Sequence, residues 1–304
     1  MRKCIYNLLA LILGIFISLI MLEVGLNIHL SRFSEQGFDM RELHNKSVSS
    51  AVPFNNFTHY RYSTMLNNEG FRDINWALEK KPGVTRVAVI GDSFTFGYGI
   101  DNTHDTYPKQ LERELGTGYE VMNFGLPGAN VLDIYWVYRN HVLKYDPDIV
   151  IYGFFQNDVE FRNENKDIGY CEALMPWPHS FRWLLGKLSS MKKTETLVDY
   201  LQEGRLEKAC TEELLKRMDS KEVILFFVPG SASPDVEVSK MYSKITEIAK
   251  ESGAEIVPEV TTMFWDMTGN EELKYRVSPE EGEMHYSSEG ARFLAEMLAW
   301  HLKQ

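Results

Sequence analysis

Ser93 stands in the string Gly91-Asp92-Ser93-Phe94-Thr95-Phe96-Gly97, directly after the β-branched run at residues 86–90. A serine hydroxyl is a weak nucleophile and needs a neighbouring base to act. Of the eight histidines, His285 has a supporting context, in Glu281-Gly282-Glu283-Met284-His285 ahead of the last helical pattern. Imidazole is the natural base, because it titrates near neutrality. Two more strings close apolar runs: Asn123-Phe124-Gly125-Leu126-Pro127-Gly128 and Phe155-Gln156-Asn157-Asp158. The main-chain N–H of Gly125, the amide of Asn157 and the N–H of Ser93 itself are donors suited to a developing oxyanion. One such donor is commonly worth about 3–4 kcal/mol of barrier. The chemistry these residue types support is acyl transfer, with a carboxylate near His285 to hold its ring. Asp92 and Asp158 read as turn-stabilising groups.

Such residues need a scaffold that brings distant strings together. Short apolar strand patterns at 86–90, 119–124, 148–155, 223–228 and 255–258 alternate with helical patterns at 107–115, 131–143, 196–218, 236–251 and 288–302. That alternation predicts an α/β fold with a parallel sheet covered on both faces. In such sheets reactive groups gather at the carboxyl ends of the strands, where all the strings above fall except the one that carries His285.

The set of motifs resembles the SGNH (GDSL-like) hydrolase family. Its first block matches Gly91-Asp92-Ser93, its block glycine Gly125, its third block Phe155-Gln156-Asn157-Asp158 with Phe155 in place of the usual glycine, and its histidine His285. The resemblance covers residues 84–304. It implies a flavodoxin-like three-layer α/β/α sandwich and ester hydrolysis or acyl transfer, often on acylated glycans. Asn67-Asn68-Glu69-Gly70-Phe71-Arg72 and the run from Thr106 to Glu112 are similar to a membrane-anchored bacterial branch of that family. One position departs from the pattern. The acid three residues before the histidine is replaced by Gly282, leaving Glu283 and Glu281. Relatives with an acid two residues before the histidine favour Glu283, and a Ser-His dyad without a third member is the alternative.

The N-terminus carries a different kind of signal. Residues 4–22 hold no charge, follow Arg2 and Lys3, and end at Glu23. Nineteen residues at about 1.5 Å each match the hydrocarbon core of a bilayer. The basic flank predicts a signal-anchor with its N-terminus in the cytoplasm, a cleaved secretory signal being the alternative, and either exports the remainder. The expected organisation is an anchor at 1–29, a juxtamembrane stalk packing on the domain at 30–83, and a catalytic domain at 84–304 with an insertion near 156–194. Cys171 and Cys210 are the two cysteines beyond the anchor, and they either pair or stay free.

Composition narrows the partners. With 32 Lys and Arg against 43 Asp and Glu among 304 residues, the net charge is −11. That balance argues against nucleic acid, whose phosphates need an excess of cations. No histidine pair has zinc-ligand spacing, and residues 91–99 lack the order of a phosphate-binding loop, so neither metal nor cofactor is expected. His104 and His141 read as surface residues. The expected function is an exported serine esterase acting on acylated, plausibly acetylated, glycans. A glycan O-acyltransferase using the same residues is one alternative. A non-catalytic glycan-binding or polysaccharide-assembly protein is another.

Overall fold

The computed structural model describes residues 13–22, 24, 66–159, 215–218, 222–229, 236–257, 260, 275–276 and 285–304. The chain divides into two units, Met1–Phe38 with Arg162–Ala209, and Asp39–Phe161 with Cys210–Gln304. In the first unit residues 13–22 are helical, and Phe16 and Met21 are 59% and 68% exposed. Among the described residues no helix is long and apolar enough to cross a membrane. The rest of the expected span, residues 4–12, lies outside them, as do the expected insertion beyond residue 159 and both Cys171 and Cys210.

The second unit is built on five parallel strands. They are β1 (Thr85–Gly91), β2 (Tyr119–Gly125), β3 (Ile149–Phe154), β4 (Glu222–Phe227) and β5 (Glu255–Ile256), in the order β2-β1-β3-β4-β5. That is the strand order of flavodoxin-like sheets. Every residue of β3 is buried, as its unbroken apolar run requires. The helices are α1 (Ser93–Phe96), α2 (Tyr107–Leu115), α3 (Val131–Val137), α4 (Val236–Glu251) and α5 (Ser288–Leu302).

Strand side chains alternate between two covered faces. On one, Val87, Val89, Val121, Ile151, Ile224 and Phe226 form a core with α2 and α5. On the other, the stacked Phe227 and Tyr242 rings, 4.2 Å apart, join β4 to α4. The helix expected over 131–143 continues from α3 through a π-helical turn, Tyr138–Val142. The helices at 107–115, 236–251 and 288–302 have their expected bounds.

The end of the expected stalk is tied into this unit. Asn67 Oδ1 accepts from the N–H groups of Glu69 and Phe71, which closes a turn. Phe71, Arg72 and Asp73 are then buried. Arg72 donates to the carbonyls of Gly97 and Ile100 and so fixes the loop that follows α1. Asp73 accepts from the N–H of Asn123 on β2 and pairs with Lys109 on α2 at 3.1 Å.

His141 was expected at the surface. Its ring instead packs edge-on to Phe71 and near Trp136, and Nδ1 lies 3.1 Å from Glu69 Oε2. Phe71 and Glu69 come from about seventy positions earlier, which no local pattern links to His141.

Candidate active site

The site begins with three glycines. Gly91 on β1 is in register with Gly125 on β2 and Gly153 on β3, forming one row across the sheet. A Cβ on Gly125 would lie 2.1 Å from Phe96 N, and one on Gly91 would lie 2.2 Å from Thr95 Oγ1. A Cβ on Gly153 would stand 2.9 Å from Tyr107 Oη. The row is therefore the seat on which α1 rests, and larger residues would lift it off. Thr95 anchors the seat through a 2.8 Å bond to the Tyr107 hydroxyl. Gly91 and Gly125 stand out in the sequence at the ends of strand patterns, whereas Gly153 lies inside one. A glycine inside an apolar strand was the available signal of a close backbone approach.

Ser93 is the first residue of α1. Asp92 caps the helix, its Oδ1 accepting the Phe94 N–H at 3.0 Å. Gly97 closes the helix in the left-handed region, at φ 80°. A one-turn helix thus projects Ser93 from the end of β1, where a tight turn was expected. The first N–H groups of a helix have no acceptor within it, which leaves the Ser93 N–H available.

His285 meets this serine from the opposite end of the sequence. Its Nε2 lies 2.8 Å from Ser93 Oγ. Phe94 and Tyr98 contact the imidazole, with ring centroids at 4.7 and 4.8 Å. Tyr286 beside it is buried and donates to the Pro229 carbonyl at 2.8 Å, fixing the chain next to β4. Glu283 and Glu281 lie outside the described residues.

The expected oxyanion donors differ in their surroundings. The Gly125 N–H donates to Asn123 Oδ1 at 2.9 Å, so it is already committed. Three residues on, Leu126 to Ala129 form a turn with Pro127 and a left-handed Gly128 at φ 71°. The Leu126 N–H donates to the Gly91 carbonyl, which holds this turn beside the strand that carries Ser93. Among the described residues the Gly128 N–H has no acceptor. The Pro-Gly pair was the signal that could have singled it out. Asn157 sits on a short turn after β3, and its Oδ1 is buried without a partner.

Two carboxyl groups lie beneath the serine. Asp92 is fully buried, and burial pushes its pKa up to about 6. Asp158 is also fully buried and is raised well above the ordinary carboxylate range, first by desolvation and then by the nearby Asp92. Its Oδ2 accepts from the Tyr152 hydroxyl and the Phe155 N–H, which holds the Asn157 turn against β3. Among the described residues no cluster of His, Cys, Asp and Glu side chains could hold a metal ion.

The sequence pattern of the GDSL-like Lipase/Acylhydrolase family matches residues 89–293, which include Ser93, Gly125, Asn157 and His285. An acetylxylan esterase of Xylanibacter ruminicola is 38% identical over 90 residues, covering 27% of this chain and 19% of that protein. The chain therefore matches about a fifth of that relative's length. Among solved structures, a lipase/acylhydrolase from Enterococcus faecalis shares 14% identity at a TM-score of 0.47, over 72% of this chain and 96% of the other. A catalytic mutant of an acetylxylan esterase from Geobacillus stearothermophilus shares 16% at a TM-score of 0.48, over 74% and 97%.

Proposed function

The chain belongs to the GDSL-like Lipase/Acylhydrolase family, and on that premise we propose that it is a serine esterase that cleaves acyl, above all acetyl, esters of a glycan. The observation that carries the mechanism is the 2.8 Å approach of His285 Nε2 to Ser93 Oγ across 192 positions of sequence. As Oγ attacks the ester carbonyl, His285 takes its proton and a tetrahedral intermediate forms. The Ser93 N–H, the Asn157 amide and an N–H from the Gly125–Gly128 turn receive the oxyanion. Within that turn the Gly128 N–H is not already bonded to any described residue. His285 then passes its proton to the departing sugar hydroxyl, and water, activated by the same imidazole, releases the acyl group. Glu283 is assigned to hold the His285 ring.

The acetylxylan esterase relative supports an acetylated sugar as substrate. The apolar run at 4–22 with its basic flank supports a signal-anchor that places the domain outside the cytoplasmic membrane. If a sugar hydroxyl replaces water in the second step, the same residues perform O-acyl transfer. Hydrolysis of a chromogenic acetyl ester, with and without a glycan acceptor, separates the two. The proposal expects turnover that is lost in Ser93→Ala. Turnover that persists in that variant overturns it, and turnover that requires the acceptor and yields acylated glycan replaces hydrolysis by transfer.

A further inference from the structure

One buried charge at the site has no part in the steps above. Asp92 Oδ2 lies 3.5 Å from Ser93 Oγ, and His285 Nε2 lies 2.8 Å from the same oxygen. A carboxylate and an imidazole thus address one hydroxyl. The carboxylate does more than cap α1, since Oδ1 alone accepts the Phe94 N–H. Among the described residues Asp92 has no Lys or Arg partner. The described cation whose field reaches it is His285, when that ring is protonated.

The other titratable groups facing Asp92 are Asp158, Tyr107, Tyr152 and Tyr242. Burial raises all three phenols above their ordinary range, so they are neutral at working pH. Asp158 is the competitor. Two buried carboxyls without a fixed cation do not both ionise readily. Asp158 has one oxygen buried with no partner and the other held by two neutral donors, a poor setting for a negative charge. Asp92 has the capped N–H, the serine hydroxyl and the imidazole on its side. The single charge of the pair therefore belongs on Asp92, and its proton on Asp158.

We propose that Asp92 is a positioning residue whose buried carboxylate is the counter-charge for the His285 imidazolium, set across the Ser93 hydroxyl, while Asp158 keeps the proton of the pair. This rests on the Ser-His mechanism above. The proton that leaves Ser93 goes to His285 and none passes to Asp92, which contributes field alone. The arrangement supplies negative charge to the imidazolium from the serine side of the ring, independently of Glu283.

The test uses the full-length chain in detergent, with labelled histidine rings followed by NMR and the His285 signal assigned by its loss in His285→Gln. Asn caps a helix about as well as Asp, so Asp92→Asn removes the charge and keeps the acceptor. The His285 midpoint is expected to fall relative to the native chain. On an acetyl ester, kcat is expected to fall with KM unchanged, and the acid limb of kcat/KM to move to lower pH with that midpoint. An unmoved His285 midpoint and acid limb, with only a lower melting temperature, would make Asp92 a cap and overturn the proposal. A second measurement needs no variant. Carboxyl carbon NMR of the native chain at pH 7 is expected to find Asp92 ionised and Asp158 protonated, and the reverse assignment overturns the proposal. If the native chain cleaves no ester, the esterase reading fails while both titrations still decide this one.

Discussion

Two buried sets of charges in this domain are built in opposite ways. Between the sheet edge and α2, Lys109 Nζ is met by Asp73 at 3.1 Å, Glu112 at 2.7 Å and the Val121 carbonyl at 2.9 Å. Glu112 in turn accepts the Val121 N–H, and Asp73 accepts that of Asn123. One ammonium there serves two carboxylates, each of which also accepts a backbone N–H, although burial still raises Asp73 above its ordinary range. At the carboxyl ends of β1 and β3, Asp92 and Asp158 are equally buried, and among the described residues no Lys or Arg stands opposite them and Asp158 Oδ1 has no partner. Burial without a partner costs several kcal/mol per ion, so such groups shift their pKa instead. The paired set holds α2 and the 66–83 segment to the sheet. The unpaired set stands under Ser93. A buried carboxylate set given a lysine and backbone donors is a fastener, whereas one with neither Lys nor Arg among the described residues is where the fold gives up stability for chemistry.

That contrast breaks most sharply at Lys109. Lys109→Met leaves Asp73 and Glu112 without their cation, and removing one partner of a buried pair costs about 3–5 kcal/mol. Urea unfolding should show a loss of that order, and a loss below about 1 kcal/mol would mean that the cluster is better solvated than its burial implies. On the other side, Gly125→Ala forces a Cβ to 2.1 Å from Phe96 N. Overpacking of this kind costs about 1–3 kcal/mol. Because it displaces α1, esterase activity should fall further than stability does, and parallel losses would separate the glycine row from the serine.

A third effect has the opposite sign. Asp158 and Asp92 bind their protons more tightly in the folded chain than at the ordinary value of 3.8. Their contribution to stability is fully present below that value and is lost as pH rises through their raised native values. Asp158→Asn removes that dependence for one of the pair. It should raise stability at pH 8 and gain nothing near pH 3, because a buried group that cannot ionise carries no such penalty. Thermal unfolding across pH checks this, and a variant destabilised equally at both ends would show that Asp158 acts through hydrogen bonds alone.

Much of this was legible in the residue order. The apolar strand runs, the helix at 107–115 with its Tyr107, Leu111 and Leu115 stripe, and the capped helix at 288–302 are local patterns, and the structure has them within a residue or two. Ser93 and His285 were legible as types suited to one reaction, and the fold brings them together. What depends on three dimensions was not legible. The glycine row needs the register of three strands. The 66–83 segment, expected as the end of a stalk, is bound by Arg72 and Asp73 reaching loops and strands that no local pattern links to it. The commitment of the Gly125 N–H to Asn123 turns on a side-chain rotamer, and the contrast between Lys109 and Asp92 on which neighbours arrive.

The most direct test of the central claim is covalent labelling of the folded full-length chain with a fluorophosphonate, read by peptide mass spectrometry. A serine activated by His285 should carry the adduct at Ser93 and no other serine, and His285→Gln should slow labelling by about a thousandfold or more, as loss of a catalytic base does. No adduct at Ser93, or labelling that proceeds as fast without His285, would contradict it.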